Sequence, residues 1–306
     1  MRRVLSVHFA PCALFVAGVL ALIRAGSFSG HSDWGAVCPA DPTAALALVT
    51  TITATAALLG LLLQPFQVRA VRVLEGYWDR WPLTAMLAGL LARMQRRRWQ
   101  ALHRRAGRAA RGETARRVRA DVRRRLAARP PAEALLPTSL GNALRVGELS
   151  AGERYGLATL ASWPRIYPQV SGRLAQALSS TRDALDTAVN LSWSLLALTV
   201  MGAVALYDEP SQWWLCGAAF VLAGVAYKGA VIVAQSYSGL MHVVYDLHRF
   251  DLADALHHRL PVDREGELEL FARISDLIAG RGNLDVQYDH RGAGSGEQGD
   301  DRSADL

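Results

Sequence analysis

The chain has 306 residues, of which 51% are hydrophobic, and it carries 34 basic against 27 acidic residues. The apolar residues fall in long uncharged runs between densely charged stretches, instead of recurring at helix or strand period. This pattern excludes a disordered chain, a small disulfide scaffold and a single soluble fold. It predicts an all-α integral membrane protein with four transmembrane helices and a large cytoplasmic helical region.

Four apolar runs are each long enough to cross a bilayer, which takes roughly 20 helical residues. They cover residues 7–23, 43–63, 187–206 and 211–234. The first two runs predict an N-terminal pair of transmembrane helices within residues 1–63. A secretory signal peptide is the alternative for the first run, because Arg2 and Arg3 precede it.

The second and fourth runs carry small residues that favour contact between helices. Thr51 and Thr55 lie four residues apart on one face, and Gly217 and Gly224 interrupt the fourth run. Small residues let two helices approach closely, and hydroxyl groups hydrogen-bond across the contact. We therefore predict helix-packing faces here, with a threonine-lined pore as the alternative.

The distribution of arginine sets the orientation, because basic loops remain on the cytoplasmic side. Residues 64–186 contain 23 arginines against nine acidic residues, whereas residues 24–42 contain Arg24 alone. The loop at 207–210 contains none. We expect a multi-pass protein of the bacterial inner (plasma) membrane, with both termini in the cytoplasm.

Residues 64–170 form the predicted basic cytoplasmic helical region. Pro82 opens a helix whose large apolar residues, Leu83, Leu87, Leu90 and Met94, share one face. This pattern is typical of an interfacial helix that binds anionic phospholipids, although packing on a cytoplasmic core remains the alternative. The candidate lipid contacts are Arg93, Arg96, Arg97, Arg98, Arg104, Arg105 and Arg108.

The basic region continues with a second predicted helix over 112–129, which Pro130 and Pro131 end. Residues 135–167 are rich in glycine and proline. They predict either broken cytoplasmic helices or a re-entrant, pore-lining element. The basic stretches show no nucleic-acid-binding framework, so we expect no nucleic-acid partner.

The C-terminal half alternates a long helical pattern with acidic segments. Residues 171–258 predict a helical hairpin that contains transmembrane helices 3 and 4. An amphipathic helix follows within 259–281, and the polar composition of 282–306 predicts a disordered tail. Residues 240–306 carry seven arginines against fourteen acidic residues. This acidic C-terminal segment is therefore expected to compete with anionic lipid for the arginines of the basic region.

Lys228 lies within the fourth apolar run, where a charge indicates a functional site by default. Asp186 and Asn190, at the inner end of the third run, are the candidate partners at similar depth. The alternative is that the lysine extends its ammonium group to the lipid phosphates without a partner.

The sequence contains no motif of a known catalytic site, so a non-enzymatic protein without a cofactor is expected. His242, Asp246, Asp254, His257 and His258 share a helical segment, but their spacing is also typical of a solvated face, and no metal site is predicted. Cys12, Cys38 and Cys216 form no CxxC pair. They are interpreted as small apolar side chains, with a Cys38–Cys216 disulfide as the alternative.

Several stretches resemble uncharacterised multi-pass membrane proteins of GC-rich bacteria: LEGYW, LPTSLGNALR, GERYGL, WPRIYP and VVYDLHRFDLADAL. This resemblance covers most of the chain after the second span and implies no activity. The topology is also similar to that of bestrophin-type anion channels, with two spans, a large cytoplasmic helical region and two further spans. That family lines a neck with aromatic residues of its second span, whereas residues 43–63 contain no aromatic residue.

Together these features predict a self-associating scaffold or regulator, a homo-oligomer with a basic, lipid-facing cytoplasmic domain. The alternative is an ion channel or small transporter. A channel needs a continuous polar path at the bilayer midplane, for which the sequence offers only threonines and Lys228.

Overall fold

The computed structural model describes residues 2–78, 80–108 and 113–281, and within them the chain is all-helical, with no strand. The side chains of residues 2–6, 106, 108 and 113–115 are outside this description. The tail predicted to be disordered, residues 282–306, also lies outside the described residues. The predicted all-α class is confirmed.

The described residues form ten α-helices, several of them linked by single 3₁₀ turns. The helices are α1 Arg2–Arg24, α2 Pro42–Leu63, α3 Gln67–Glu75, α4 Pro82–Arg108, α5 Glu113–Ala127, α6 Ser139–Ser150, α7 Thr159–Ile166, α8 Gly172–Ala205, α9 Trp213–Ala255 and α10 Arg264–Ile278.

Four helical segments are long and apolar enough to cross a membrane, as the sequence predicted. They are Val7–Arg24, Pro42–Glu75, Gly172–Ala205 and Pro210–Ala255. Helix α9 has 43 residues, and at about 1.5 Å per residue it is roughly twice as long as the apolar core of a bilayer is thick. The C-terminal part of α9 therefore extends beyond the length that a bilayer can cover.

Local sequence signals account for several helix boundaries. Asp41 caps α2, because its carboxylate accepts a hydrogen bond from the backbone N–H of Ala44 at 2.8 Å. Pro82 occupies the first position of α4, where its missing N–H costs no helical hydrogen bond. Helix α5 ends at Ala127, ahead of Pro130 and Pro131.

The glycine- and proline-rich residues 135–167 form two short helices, α6 and α7, joined by turns. Thr138 caps α6, because its hydroxyl accepts a hydrogen bond from Gly141 N–H at 3.0 Å. The same hydroxyl donates to the carbonyl oxygen of Glu75 at 2.7 Å, which ties the end of α3 to the start of α6. The described backbone of this segment is therefore helical and interrupted by turns.

The chain divides into two compact units, the first made of Met1–Gly147 and Gln176–Gly239. Its main core brings together buried side chains of α3, α6, α8 and α9. They are Val71, Leu140, Ala143, Leu144, Leu185, Val189, Ala230, Val231 and Ala234. Ser238 Oγ of α9 donates to the carbonyl oxygen of Ala143 at 2.6 Å, which fixes α6 against α9.

The second unit consists of Glu148–Ala175 and Leu240–Leu306. Its core contains the fully buried side chains of Tyr245 and Phe271. The hydroxyl of Tyr245 lies 2.9 Å from Ser162 Oγ and donates to the carbonyl oxygen of Thr159 at 3.0 Å. These hydrogen bonds join α7 to the end of α9.

Candidate functional site

Helix α4 packs through one narrow face and leaves a row of large apolar side chains uncovered. Ala88 and Gln95 are buried, and the Gln95 amide donates to the carbonyl oxygen of Pro137 at 3.5 Å. The opposite face presents a row that we call the α4 stripe: Leu83, Met86, Leu87, Leu90 and Met94, which are 44% to 82% exposed. The alternative in which this face packs on the core of the same chain is therefore not what the fold shows.

The arginines predicted to contact lipid lie on α4, and their described side chains are exposed. This holds for Arg93, Arg96, Arg97, Arg98, Arg104 and Arg105. The side chain of Arg108 lies outside the described residues. Arg93 Nε donates to the carbonyl oxygen of Gly89 at 3.3 Å, within its own helix. Most of this charge is therefore available to a partner outside the chain.

The C-terminal half of α4, the end of α5 with the residues that follow it, and one residue of α9 line an open pocket of about 620 Å³. We call it the arginine pocket. Its polar lining consists of Arg98, Arg105, Arg124, Arg125, Arg129 and Gln235, and small or apolar residues such as Ala101 and Leu102 complete it. Only Arg98 and Arg105 belong to the lipid contacts predicted from the sequence.

The positive charge of the arginine pocket is only partly neutralised. Asp121 forms ion pairs with Arg125 at 2.9 Å and with Arg124 at 3.8 Å. Within the described part of the chain, no carboxylate forms an ion pair with Arg98, Arg105 or Arg129.

Arg129 has the least favourable environment of these arginines. Its Nη1 atom is buried and has no hydrogen-bond partner among the described residues. Burial lowers the pKa of Arg129 below its usual value, and the neighbouring charges of Arg98 and Arg125 lower it further. An arginine remains protonated at any physiological pH, so Arg129 keeps a buried donor and an unbalanced charge.

A signal for the arginine pocket was present in the sequence. A short connection joins two helices that both carry arginines, and residues at similar distances from such a connection face each other in an antiparallel pair. Arg98 and Arg124 lie at similar distances from residues 109–112. Gln235 comes from a distant part of the chain and had no such signal.

The predicted intramembrane set of Lys228, Asp186 and Asn190 is not joined by contacts. Lys228 is exposed on α9 and forms no hydrogen bond or ion pair with any described residue. Asp186 lies 3.4 Å from Arg182 Nε on its own helix, and its Oδ1 atom has no hydrogen-bond partner among those residues.

Asn190 instead contacts a histidine of α1. Its Nδ2 lies 3.1 Å from His8 Nδ1 and donates to the carbonyl oxygen of Val7 at 3.4 Å. His8 is buried, and a β-carbon placed on Gly60 of α2 would lie 3.3 Å from the His8 side chain. No local pattern indicates this contact, because His8 and Asn190 lie 182 residues apart along the chain.

The four helix-packing candidates all lie on surfaces that the other described residues do not cover. Thr51, Thr55, Gly217 and Gly224 are exposed, and a β-carbon on either glycine would contact nothing within 4 Å. Within the chain, α2 packs through its buried residues Ala56 and Gly60, and α9 through alanines such as Ala230.

The second unit contains a separate polar network around Tyr155. Its hydroxyl donates to Asp246 Oδ1 at 2.6 Å, and Arg154 pairs with the same carboxylate at 2.5 Å. The Arg249 guanidinium lies 4.3 Å from the centre of the Tyr155 ring and pairs with Glu267 at 2.7 Å. The charges of this network balance each other internally, which is typical of a structural role.

No group of three or more His, Cys, Asp or Glu side chains in the described part of the chain could hold a metal ion. The three cysteines are free thiols, so Cys38 and Cys216 form no disulfide in this structure. The arrangement with the clearest chemical capacity is the basic α4–α5 pair, whose guanidinium groups can bind anions.

Comparison of the chain with protein-family models, with curated proteins and with solved structures finds no significant match.

Proposed function

We propose that this chain is a non-enzymatic, multi-pass protein of the bacterial inner membrane that holds α4 against the anionic cytoplasmic leaflet. In this role it acts as a self-associating scaffold or regulator. The observation that carries the proposal is the α4 stripe, a row of uncovered apolar side chains on the same helix as a set of exposed arginines.

The α4 stripe favours a lipid surface as its occupant. Full burial of one leucine or methionine side chain contributes roughly 1.5–3 kcal/mol, so the five partly exposed side chains together represent on the order of 5 kcal/mol. Under this proposal a bilayer lies next to α4, because α4 follows the span-length segment Pro42–Glu75 after a short connection. Trp81, which is 68% exposed at the start of α4, suits the headgroup region.

The arginines favour the anionic leaflet over a neutral surface. Each basic residue near such a leaflet contributes roughly 1 kcal/mol before salt screening. The 23 arginines of residues 64–186 also support a cytoplasmic location for this region. Apolar burial and charge attraction therefore act on the same helix, as in other amphipathic helices that lie in a membrane interface.

The uncovered small residues of the spans support self-association. Thr51 and Thr55 on α2, and Gly217 and Gly224 on α9, leave room for another helix to approach. Membrane helices associate through such small residues because apolar side chains gain little by leaving lipid. A second copy of the chain is the partner that the proposal assigns to these faces.

A spin label tests the depth of α4 directly. In a variant without native cysteines, Leu87→Cys carries a nitroxide label, and Gln100→Cys on the same helix is the matched control. In nanodiscs that contain phosphatidylglycerol, the label at position 87 should be relaxed by oxygen more than by a water-soluble nickel chelate. The label at position 100 should show the reverse.

Charge dependence is the second part of the same test. Replacing phosphatidylglycerol by phosphatidylcholine, or introducing Arg96→Gln with Arg97→Gln, should increase the access of the nickel chelate to position 87. A label at position 87 that remains fully accessible to the nickel chelate in every lipid would refute the proposed docking of α4.

A further inference from the structure

The arginine pocket brings arginines of two neighbouring helices together around one open cavity, unlike the other exposed arginines of α4. Arg98 and Arg105 reach it from α4, Arg124 and Arg125 from α5, and Arg129 from the residues that follow α5. Like charges that converge without compensation repel each other, so the fold maintains this arrangement at a cost. A bound anion would remove that cost.

Charge and donor count define the ligand that would fit. Asp121 is the only carboxylate in the described part of the chain that pairs with any of the five arginines. A ligand with a single negative charge would leave most of the excess unbalanced. Planar guanidinium groups bind the oxygens of a phosphate group through paired, charge-assisted hydrogen bonds.

Two further features indicate a ligand and not a structural cluster. The buried Nη1 atom of Arg129 lacks an acceptor among the described residues, and buried donors are rarely left in that state. The volume of about 620 Å³ falls in the range of small-molecule sites and exceeds what one inorganic ion requires. Gln235 adds a polar amide that can bind a further oxygen.

We propose that the arginine pocket binds an anion that carries phosphate and at least two negative charges, such as a phosphomonoester or a pyrophosphate group. The phosphate oxygens accept hydrogen bonds from Arg98, Arg105 and Arg129, and the remainder of the ligand occupies the space beside Ala101 and Leu102. This ligand is either the headgroup of a lipid or a soluble phosphorylated molecule.

This inference does not rest on the proposed docking of α4. The α4 stripe lies in the N-terminal half of the helix, whereas the arginine pocket uses its C-terminal half. A spin label at position 87 that stays in water would refute the docking and leave anion binding intact. Loss of anion binding would conversely leave the depth of the label unchanged.

Thermal unfolding of the purified full-length protein in a neutral detergent tests the proposal, with pyrophosphate as the probe. A ligand that binds the folded state raises the Tm as its concentration exceeds the dissociation constant. We expect a saturable rise with pyrophosphate that sodium chloride of matched ionic strength does not reproduce. Arg98→Gln should raise the apparent Kd at least about tenfold, the effect of one lost charge-assisted hydrogen bond.

Arg123→Gln is the matched control, because Arg123 is exposed on α5 and does not line the arginine pocket. Like Arg98→Gln it removes one positive charge, but from α5 and outside the arginine pocket, and its Kd should stay within about twofold of the unaltered protein. Equal effects of Arg98→Gln and Arg123→Gln would overturn the proposal in favour of diffuse charge attraction. The absence of any response specific to pyrophosphate would also overturn it.

Arg129→Met should shift the Tm in opposite directions without anion and with it, which a purely structural role of Arg129 would not produce. Methionine keeps most of the apolar stem but removes the unpartnered donor and the uncompensated charge. Without anion the variant should therefore have the same Tm as the unaltered protein or a higher one, and at saturating pyrophosphate it should have a lower one. If this variant does not fold, the Arg98→Gln titration decides the proposal.

Nanodiscs distinguish the two sources of phosphate. If the ligand is a headgroup, phosphatidic acid should raise the Tm relative to phosphatidylcholine, and pyrophosphate should add no further rise. If the ligand is soluble, pyrophosphate should raise the Tm equally in both lipids. Either result supports a phosphate site, provided that Arg98→Gln weakens the response and Arg123→Gln does not.

Discussion

Replacing Gly141 by alanine should destabilise the protein more than its small size suggests. A β-carbon at this position would lie 2.1 Å from the carbonyl oxygen of Glu75 and 2.8 Å from Leu136 Cδ1. The nearer atom belongs to the backbone, so it cannot move away by a side-chain rotation. Helix α6 would have to shift away from the end of α3 by about 1 Å to restore an ordinary contact.

The cost can be worked out from the contacts that this shift disturbs. Overpacking of a rigid site costs typically 1–3 kcal/mol, and a backbone obstacle favours the upper end. The shift also strains the hydrogen bond from Thr138 Oγ to Glu75 O, now 2.7 Å, which contributes about 1 kcal/mol. We expect Gly141→Ala to reduce the free energy of unfolding by about 3–4 kcal/mol.

Gly89→Ala is the matched control, because Gly89 lies in the middle of α4 and a β-carbon there would contact nothing within 4 Å. Alanine in an exposed helix should stabilise by roughly 0.5–1 kcal/mol relative to glycine. Both variants are compared by thermal unfolding in detergent, where the Tm of Gly141→Ala should lie well below that of Gly89→Ala. Equal Tm values would refute the close approach of α3 and α6.

Two further predictions concern single side chains in the spans and loops. The carboxylate of Glu209 accepts hydrogen bonds from Ser32 Oγ and Ser32 N, which hold the pKa of Glu209 below its usual value of 4.5. Because the folded-state pKa is lowered, the stability that these hydrogen bonds contribute is complete above about pH 4.5. It is lost as the pH falls through the folded-state pKa. Glu209→Gln should therefore flatten the acid dependence of the Tm, and an unchanged slope would contradict the contact. Lys228→Met should change the free energy of unfolding by less than about 0.5 kcal/mol, because Lys228 is exposed and has no described partner. Asn190→Leu should reduce it by about 1–3 kcal/mol, because the contacts of Asn190 with α1 are lost. Unfolding in detergent compares the two variants, and a larger loss for Lys228→Met would show that the lysine has a partner.

The parts of the fold that the sequence predicts are those whose signals are local. Apolar length predicts the four span-length helices, and Pro82 and Pro130 mark helix boundaries because proline lacks a backbone N–H. The exposed α4 stripe is likewise visible in the spacing of its large side chains. Each of these properties belongs to one helix or one short segment.

The remaining features depend on which segments meet, and periodicity does not contain that information. Nothing in the sequence distinguishes Gly141 from the other glycines. Its importance follows from the position of the Glu75 carbonyl oxygen beside it. Asn190 has several polar candidates at similar depth, and its contact with His8 follows from the alignment of α8 with α1. The arginine pocket also includes Gln235 of α9, whose place beside the α4–α5 pair no pattern along the chain reveals.

The most direct test of the membrane arrangement uses the native cysteine at position 38. Cys38 is exposed in the segment between α1 and α2, and Gln100 is exposed on α4. In a bacterial expression host, a membrane-impermeant maleimide should label Cys38 in intact cells. Gln100→Cys, in a background without Cys38, should react only after the membrane is permeabilised. The opposite result is that Gln100→Cys is labelled in intact cells while Cys38 of the unaltered protein is not. It would contradict the cytoplasmic location of the basic region and the proposed docking of α4 on the inner leaflet.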